Sequence, residues 1–250
     1  MITFPNAKIN LGLHVLRKRT DGYHEIESCL YPVTLCDVLE IIEAKSFSFQ
    51  SSGLPISGDE SQNLVLRAYQ ILQDDFDIPP VQIHLHKIIP MGAGLGGGSS
   101  DAAYALKVLN SLFDLELSKQ NLEKYASQLG SDCPFFIENT PKLVTGTGTT
   151  LTPFDLDLSA YRIELAHPTV HVSTAEAYRM LTPKLPTNSL QSVLQTPVET
   201  WNDSLVNDFE APMLSKFPEI SKAKERLISD GAIYAAMTGS GSSVFGIFRQ

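Results

Sequence analysis

The chain has 250 residues, with 19 Lys and Arg against 28 Asp and Glu for a formal charge of −9, and 43% of its side chains are apolar. That length and apolar share bury the core of one large domain or two modest ones and exclude a chain that is mostly disordered. A pI near 5.1 argues against a nucleic-acid surface, no apolar run approaches the roughly 18 residues of a membrane span, and three cysteines without a CxxC pair exclude a disulfide framework or a cysteine zinc site.

The opening Met1-Ile-Thr-Phe-Pro5 lacks the basic start and apolar core of a signal peptide, so a cytoplasmic protein with small-molecule partners is expected. Thr3 to Leu16 reads as extended, with Ile9, Leu11 and Leu13 alternating with Lys8, Asn10 and Gly12. Arg17 to His24 is a polar loop around Asp21-Gly22, and Glu25 to Gln50, interrupted by Pro32, reads as two or three strands. Leu64, Val65, Ala68, Ile71 and Leu72 fall at helical spacing. Val81, Ile83 and Leu85 then alternate with Gln82, His84 and His86 as in a half-buried strand. A glycine-rich turn after Pro90 leads into a helix from about Ser99 to Phe113. A second helix runs from Ser118, its N-cap, to Leu129, with Gly130 closing it.

Beyond Pro141 the texture changes. Thr145 to Thr150 is a turn-rich connector, Tyr161 to Ala166 a strand, and Thr174–Leu181, Ser189–Leu194 and Asn207–Leu214 short helices. Pro218 and Gly231 bracket a longer amphipathic helix, Glu219 to Ser229. Ala232 to Met237, a tight Thr-Gly-Ser-Gly-Ser-Ser turn and Val244 to Phe248 read as strand, turn, strand. Strands and helices without a strict βαβ rhythm give an α+β class with two subdomains, 1–150 and 151–250.

Three segments are suited to carry chemistry. Pro90 to Ala103 contains five glycines within seven residues ahead of a helix, so backbone amides approach a ligand closely and the helix dipole favours an anion. The alternative is a flexible linker, which a position between a strand and an Ala-rich helix disfavours. A Walker A loop would need Gly-Lys-Ser/Thr, and the next lysine is Lys107. Gly92, Gly94 and Gly97 satisfy GxGxxG, but the residues around Glu116 look helical where a dinucleotide fold needs a strand. Asn6 to His14 sets Lys8 and Asn10 on one strand face, pointing into a cleft or into water. Thr238 to Ser243 is a second small-residue turn, a site element or a plain hairpin. Asp132, between Gly130 and Pro134, is a displayed carboxylate or a helix cap.

Together these segments resemble the GHMP small-molecule kinase superfamily from Ala7 to Phe248. The strings are Ala-Lys-Ile-Asn-Leu at 7–11, Asp-Gly-Tyr-His-Glu-Ile at 21–26, Gly-Leu-Gly-Gly-Gly-Ser-Ser-Asp-Ala-Ala at 94–103, Gly-Ser-Asp-Cys-Pro-Phe-Phe at 130–136 and the turn at 238–243. The resemblance implies an S5-like N-terminal domain that carries the phosphate loop, a ferredoxin-like C-terminal domain, and substrates in the cleft between them. It makes Pro90, Met91, Gly92, Ala93, Gly94, Leu95, Gly96, Gly97, Gly98, Ser99 and Ser100 the ATP phosphate loop, and Lys8 and Asp132 the catalytic pair. The longer glycine loop and Asp21-Gly-Tyr-His24 are similar to the branch whose acceptor is a cytidyl diphosphate polyol. On that match Tyr23 and His24 bind cytosine, one stacking and one hydrogen-bonding, Tyr178 supplies a second aromatic wall where the family often has Phe, and Asn10 and Thr174 complete the acceptor site. Mg²⁺ is implied with ATP, although no Asp or Glu is assigned to it, and a monomer or weak homodimer is expected. Homoserine or mevalonate kinase activity, and a phosphometabolite-binding protein without turnover, are the competing functions. His84 and His86 read as solvated, and His14, His167 and His171 show no metal spacing.

Overall fold

A computed structural model describes residues 1–56, 58–202 and 204–250. The first half holds β1 (Ile2–Thr3), β2 (Asn6–Lys18), β3 (His24–Cys36), β4 (Val38–Glu43), β5 (Ser48–Gly53), α1 (Leu64–Phe76), β6 (Val81–Lys87), α2 (Gly97–Leu112), α3 (Lys119–Leu129) and α4 (Phe135–Glu138). The second half holds β7 (Lys142–Thr145), β8 (Thr150–Pro153), β9 (Tyr161–Ala166), α5 (Thr174–Arg179), α6 (Leu190–Leu194), α7 (Glu210–Lys216), α8 (Pro218–Ser229), β10 (Tyr234–Met237) and β11 (Val244–Arg249). The α+β class expected from the sequence is what these elements build.

They form two compact units that are interleaved along the chain: Met1–Ala7, Pro32–Met91 and Gly96–Thr140 make one, and Lys8–Tyr31, Gly92–Leu95 and Pro141–Gln250 the other. In the first, a sheet of order β1-β4-β6-β5 is antiparallel except for β5 beside β6. Val81, Ile83 and Leu85 of β6 are buried and Gln82 and His84 exposed, the period-two pattern of a sheet with one dry face. Val65, Ala68, Tyr69 and Leu72 of α1 are buried together with Ala102, Ala105, Leu106 and Leu109 of α2. Each large apolar side chain so covered contributes about 1.5–3 kcal/mol. Asn63 Oδ1 caps α1 by accepting from the Val65 amide, and Ser118 caps α3 as its sequence suggests.

The second unit has a sheet of order β2-β3-β7-β8 and another of order β10-β11-β9. Its core gathers Leu13 and Val15 of β2, Phe209, Met213, Ile220 and Leu227, and Ala235, Met237, Val244 and Phe248. Two sequence readings change here. The connector at Thr145 to Thr150 is the turn of a hairpin, since β7 and β8 pair antiparallel with Thr145 opposite Thr150. β2 is buried on both faces from Asn6 to Val15, and segment 206–208 pairs with its edge: Leu13 N–H donates to the Val206 carbonyl and Asp208 N–H to the Leu13 carbonyl. Helix α2 begins two residues before the expected Ser99, at Gly97.

Candidate active site

In the second unit, Lys8 is 4% exposed, so it is not a solvated edge lysine. Its Nζ donates to Asn10 Oδ1 at 2.7 Å and to the Gly94 carbonyl at 3.1 Å. Asn10 in turn donates through Nδ2 to Ser28 Oγ at 2.8 Å, and the Ser28 hydroxyl donates to the Gly12 carbonyl at 2.6 Å. Thr238, from the second glycine turn, accepts the Asn10 amide at 2.9 Å on its hydroxyl and donates to the Gly94 carbonyl at 3.1 Å. Gly94 has φ +78°, and a Cβ there would lie 2.2 Å from the Thr238 carbonyl oxygen, so no side chain fits. Asn207 Nδ2 holds the turn from behind, donating to the Met237 carbonyl at 2.8 Å and the Gly239 carbonyl at 2.9 Å. The turn is therefore both the hairpin turn between β10 and β11, one of the two sequence readings, and a brace on Gly94. Asn207 and Ser28 gave no signal in the sequence at all.

Around the loop, Gly92, Gly94 and Gly96 adopt φ values of 63°, 78° and 71°. Gly96 occupies the N-cap of α2 and supplies no side-chain cap. The first amides of a 16-residue helix thus lack a capping side chain, which suits them to an anion. A Cβ on Gly98 would meet nothing within 4 Å. Ser100 is fully buried, and its Oγ has no hydrogen-bond partner among the described residues. Met91 stands exposed at the start of the loop and Pro90 is half-buried.

Asp132 lies half-buried in the turn between α3 and α4. The N-cap position of α4 falls on Pro134, and the Asp132 carbonyl accepts the Phe135 amide at 3.2 Å. Gly130 brings that turn against the start of α2: a Cβ on it would lie 3.3 Å from Cys133 Sγ and 3.9 Å from Ser99 Oγ. Burial pushes the Cys133 thiol up to about 11, with a Ser99 hydrogen bond opposing, so this cysteine is an inert neighbour of Asp132.

The aromatic residues are arranged differently from a simple pair of walls. His24 stacks on Tyr178 with ring centroids 4.6 Å apart and planes 21° apart. Phe209 meets Tyr178 edge-on at 4.9 Å. The face of Tyr178 toward His24 is thus already covered. Tyr23 stands 68% exposed at the turn, where its amide donates to Asp21 Oδ1 at 3.1 Å. Thr174 opens α5, with its Oγ1 3.1 Å from Ser240 Oγ. The structure thus brings together Lys8 with Asn10 and Gly94, Ser99 with the Asp132 turn, and His24 with Tyr178.

Four of the other histidines have side-chain partners. His84 and His86 share the Ser52 hydroxyl, each at 2.9 Å, rather than being solvated alone. His14 Nδ1 is 3.7 Å from Asp208 Oδ1, and His167 Nδ1 is 3.1 Å from Ser243 Oγ. Burial lowers the His167 pKa. Among the described residues no group of three His, Cys, Asp or Glu is placed to hold a metal.

Comparison with known proteins decides the family. The GHMP kinases N terminal domain matches residues 63–139 and the GHMP kinases C terminal region matches 193–250. The chain is 51% identical over its whole length to the 4-diphosphocytidyl-2-C-methyl-D-erythritol kinase of Azobacteroides pseudotrichonymphae genomovar. CFP2, covering 94% of it. The chain belongs to the 4-diphosphocytidyl-2-C-methyl-D-erythritol kinases of the GHMP family. The kinase of that name from Parabacteroides distasonis is 50% identical, with 100% of this chain and 92% of the relative covered. A crystal structure of 4-(cytidine 5'-diphospho)-2C-methyl-D-erythritol kinase superposes with a TM-score of 0.86 at 32% identity, over 99% of this chain and 90% of the other. A mevalonate kinase structure shares the fold at 16% identity, with a TM-score of 0.68 over 100% of this chain and 91% of its own. As a kinase of this family the protein uses ATP as phosphoryl donor, and no helix among its described residues is long and apolar enough to cross a membrane.

Proposed function

We propose that this kinase moves the γ-phosphoryl group of ATP to the 2-hydroxyl of 4-diphosphocytidyl-2-C-methyl-D-erythritol, a step of non-mevalonate isoprenoid precursor synthesis. The observation that carries the reading is the identity of about half, end to end, with kinases that bear this acceptor in their names. Residues 90–100 take the ATP phosphates, supported by the positive-φ glycines and the uncapped start of α2. Phosphoryl transfer proceeds through a loose transition state, so the protein's work is to position reactants and offset charge. Asp132 accepts the proton of the acceptor hydroxyl as its oxygen bonds to phosphorus, and Lys8, already fixed on the Gly94 carbonyl, stabilises the negative charge that develops. Tyr23, His24, Thr174 and Tyr178, with Asn10, bind the acceptor. The stacked His24–Tyr178 pair supports a cytosine platform whose base lies against this pair or displaces the imidazole.

The residues present fit Mg²⁺, which binds few protein oxygens and keeps water and phosphate ligands. Ser99 and Ser100 would hold it, an assignment supported by the orphaned buried Ser100 hydroxyl, and when bound it neutralises phosphate charge. In this reading residues 1–150 are the N-terminal and 151–250 the C-terminal kinase domain, with the two family matches falling on either side of the boundary. The enzyme works in the cytoplasm as a monomer or weak homodimer without nucleic acid, as its free Cys29, Cys36 and Cys133 and its acidic pI support. The test is phosphate transfer from ATP across a panel of the cytidyl diphosphate polyol, mevalonate and homoserine. Turnover is expected on the first alone, and equal turnover on the others would overturn the assignment.

A further inference from the structure

The first unit holds a buried charged cluster outside the residues assigned above. Lys87, the last residue of β6, is 1% exposed and donates through Nζ to Asp37 Oδ2 and, at 2.7 Å, to Asp101 Oδ2. Asp37 stands between β3 and β4, and its Oδ1 also accepts the Ile88 amide at 2.5 Å and the Ile89 amide at 2.8 Å. Asp101 belongs to the first turns of α2. The cluster therefore joins the strand that enters the loop to the helix that leaves it. Packing at this joint is tight. A Cβ on Gly97, the first residue of α2, would fall 2.8 Å from Ile89 Cγ2 and 3.3 Å from Lys87 Nζ.

The two carboxylates are not equivalent. Asp37 has the ammonium and two amides, which together compensate a buried charge. Asp101 has the ammonium on one oxygen, while its Oδ1 has no hydrogen-bond partner among the described residues. With one ammonium between two carboxylates, Asp101 is the one whose charge is disfavoured: burial, with Asp37 beside it and Lys87 opposing, pushes its carboxyl up to about 7, and an orphaned buried carboxyl oxygen costs stability. A hydrophobic side chain in its place would leave the Lys87–Asp37 pair neutral, with Asp37 still holding the Ile88 and Ile89 amides and the ammonium keeping one of its two acceptors. The gain from Asp101 has to lie elsewhere, and its geometry says where: among the described residues it carries the cluster's hydrogen bond between Lys87 and α2.

We propose that Asp101, through Lys87, is a positioning residue that sets the start of α2 against the end of β6 and so shapes the phosphate loop for ATP. The proposal rests on residues 90–100 being the ATP loop. Three variants test it, by steady-state kinetics against both substrates and by melting temperature. Asp101→Leu removes the link and the orphaned oxygen together. It is expected to melt no lower than the parent, while kcat/KM for ATP falls about 10- to 100-fold, the scale of an ångström-sized misplacement, and KM for the acceptor stays unchanged. Asp101→Asn keeps an acceptor for the Lys87 ammonium and is expected to return kcat/KM for ATP to within about threefold of the parent. Parental ATP kinetics in Asp101→Leu, an equal loss toward both substrates, a loss that Asn does not reverse, or an unfolded Leu variant each overturns the proposal. Gly98→Val separates this from the loop assignment. If Gly98→Val loses ATP binding and Asp101→Leu does not, the link alone is refuted; if neither does, the loop reading itself falls.

Discussion

Gly98 offers a perturbation whose effects on folding and on nucleotide binding have opposite signs. It is the second residue of α2, and a Cβ built on it has open space on every side. In a helix, Ala is favoured over Gly by up to about 1 kcal/mol. For a chain of this size that raises the melting temperature by about 2–4 °C. If the exposed amides here receive phosphate, the added methyl group stands where the anion must approach, and ATP binding weakens as the fold tightens. Ligand-induced stabilisation reads this directly. ATP at 100 times Kd adds about 2.7 kcal/mol to the parent, and a tenfold weaker Kd cuts the gain to about 1.4 kcal/mol at the same concentration. The assay is a pair of thermal melts, with and without ATP, on the parent and on Gly98→Ala, with KM for ATP measured alongside. A variant that melts higher and shows the full ATP-induced shift would refute the reasoning, because the open side of Gly98 would then not face the phosphates.

Three further outcomes follow from the same geometry. Asp132→Asn keeps shape and hydrogen bonding but removes the base, and is expected to lower kcat by about 10²- to 10⁴-fold with substrate Kd values nearly unchanged; near-normal kcat would take Asp132 out of the chemistry. Tyr178→Ala removes the ring under His24 and should raise KM for the acceptor by roughly 5- to 150-fold, from the 1–3 kcal/mol of a stacked base, while Tyr178→Phe stays mild and KM for ATP does not move. Lys107, whose Nζ donates to the Phe136 carbonyl at 3.1 Å, has its pKa pushed down to about 8 by burial. Its charge therefore burdens the folded state fully below about pH 8, and the burden disappears as pH rises from there toward the unfolded value of 10.5. The stability advantage of Lys107→Met over the parent should shrink across that window in denaturant titrations, and an advantage independent of pH would contradict the assignment.

Much of this was legible from short stretches of sequence. The alternation of Val81, Ile83 and Leu85, the cap at Ser118, the glycine run before α2 and the motif strings that carry the family all depend on residues within a few positions of one another, where backbone geometry and side-chain period act directly. The burial of Lys8, the brace of Thr238 on Gly94, the stacking of His24 on Tyr178 and the Asp37–Lys87–Asp101 cluster were not. Thr238 and Gly94 are 144 residues apart in the chain, Lys87 and Asp37 50, and nothing in the local pattern of either partner names the other. β2 shows the reason most plainly. Its alternation of apolar and polar residues describes a strand with one wet face, and the second face is dry because Gly94, Ser28 and Thr238, from other stretches of the chain, take up the Lys8 and Asn10 side chains. Side-chain period encodes which residues share a face, whereas what covers that face is decided by packing between segments that meet only when the chain has folded.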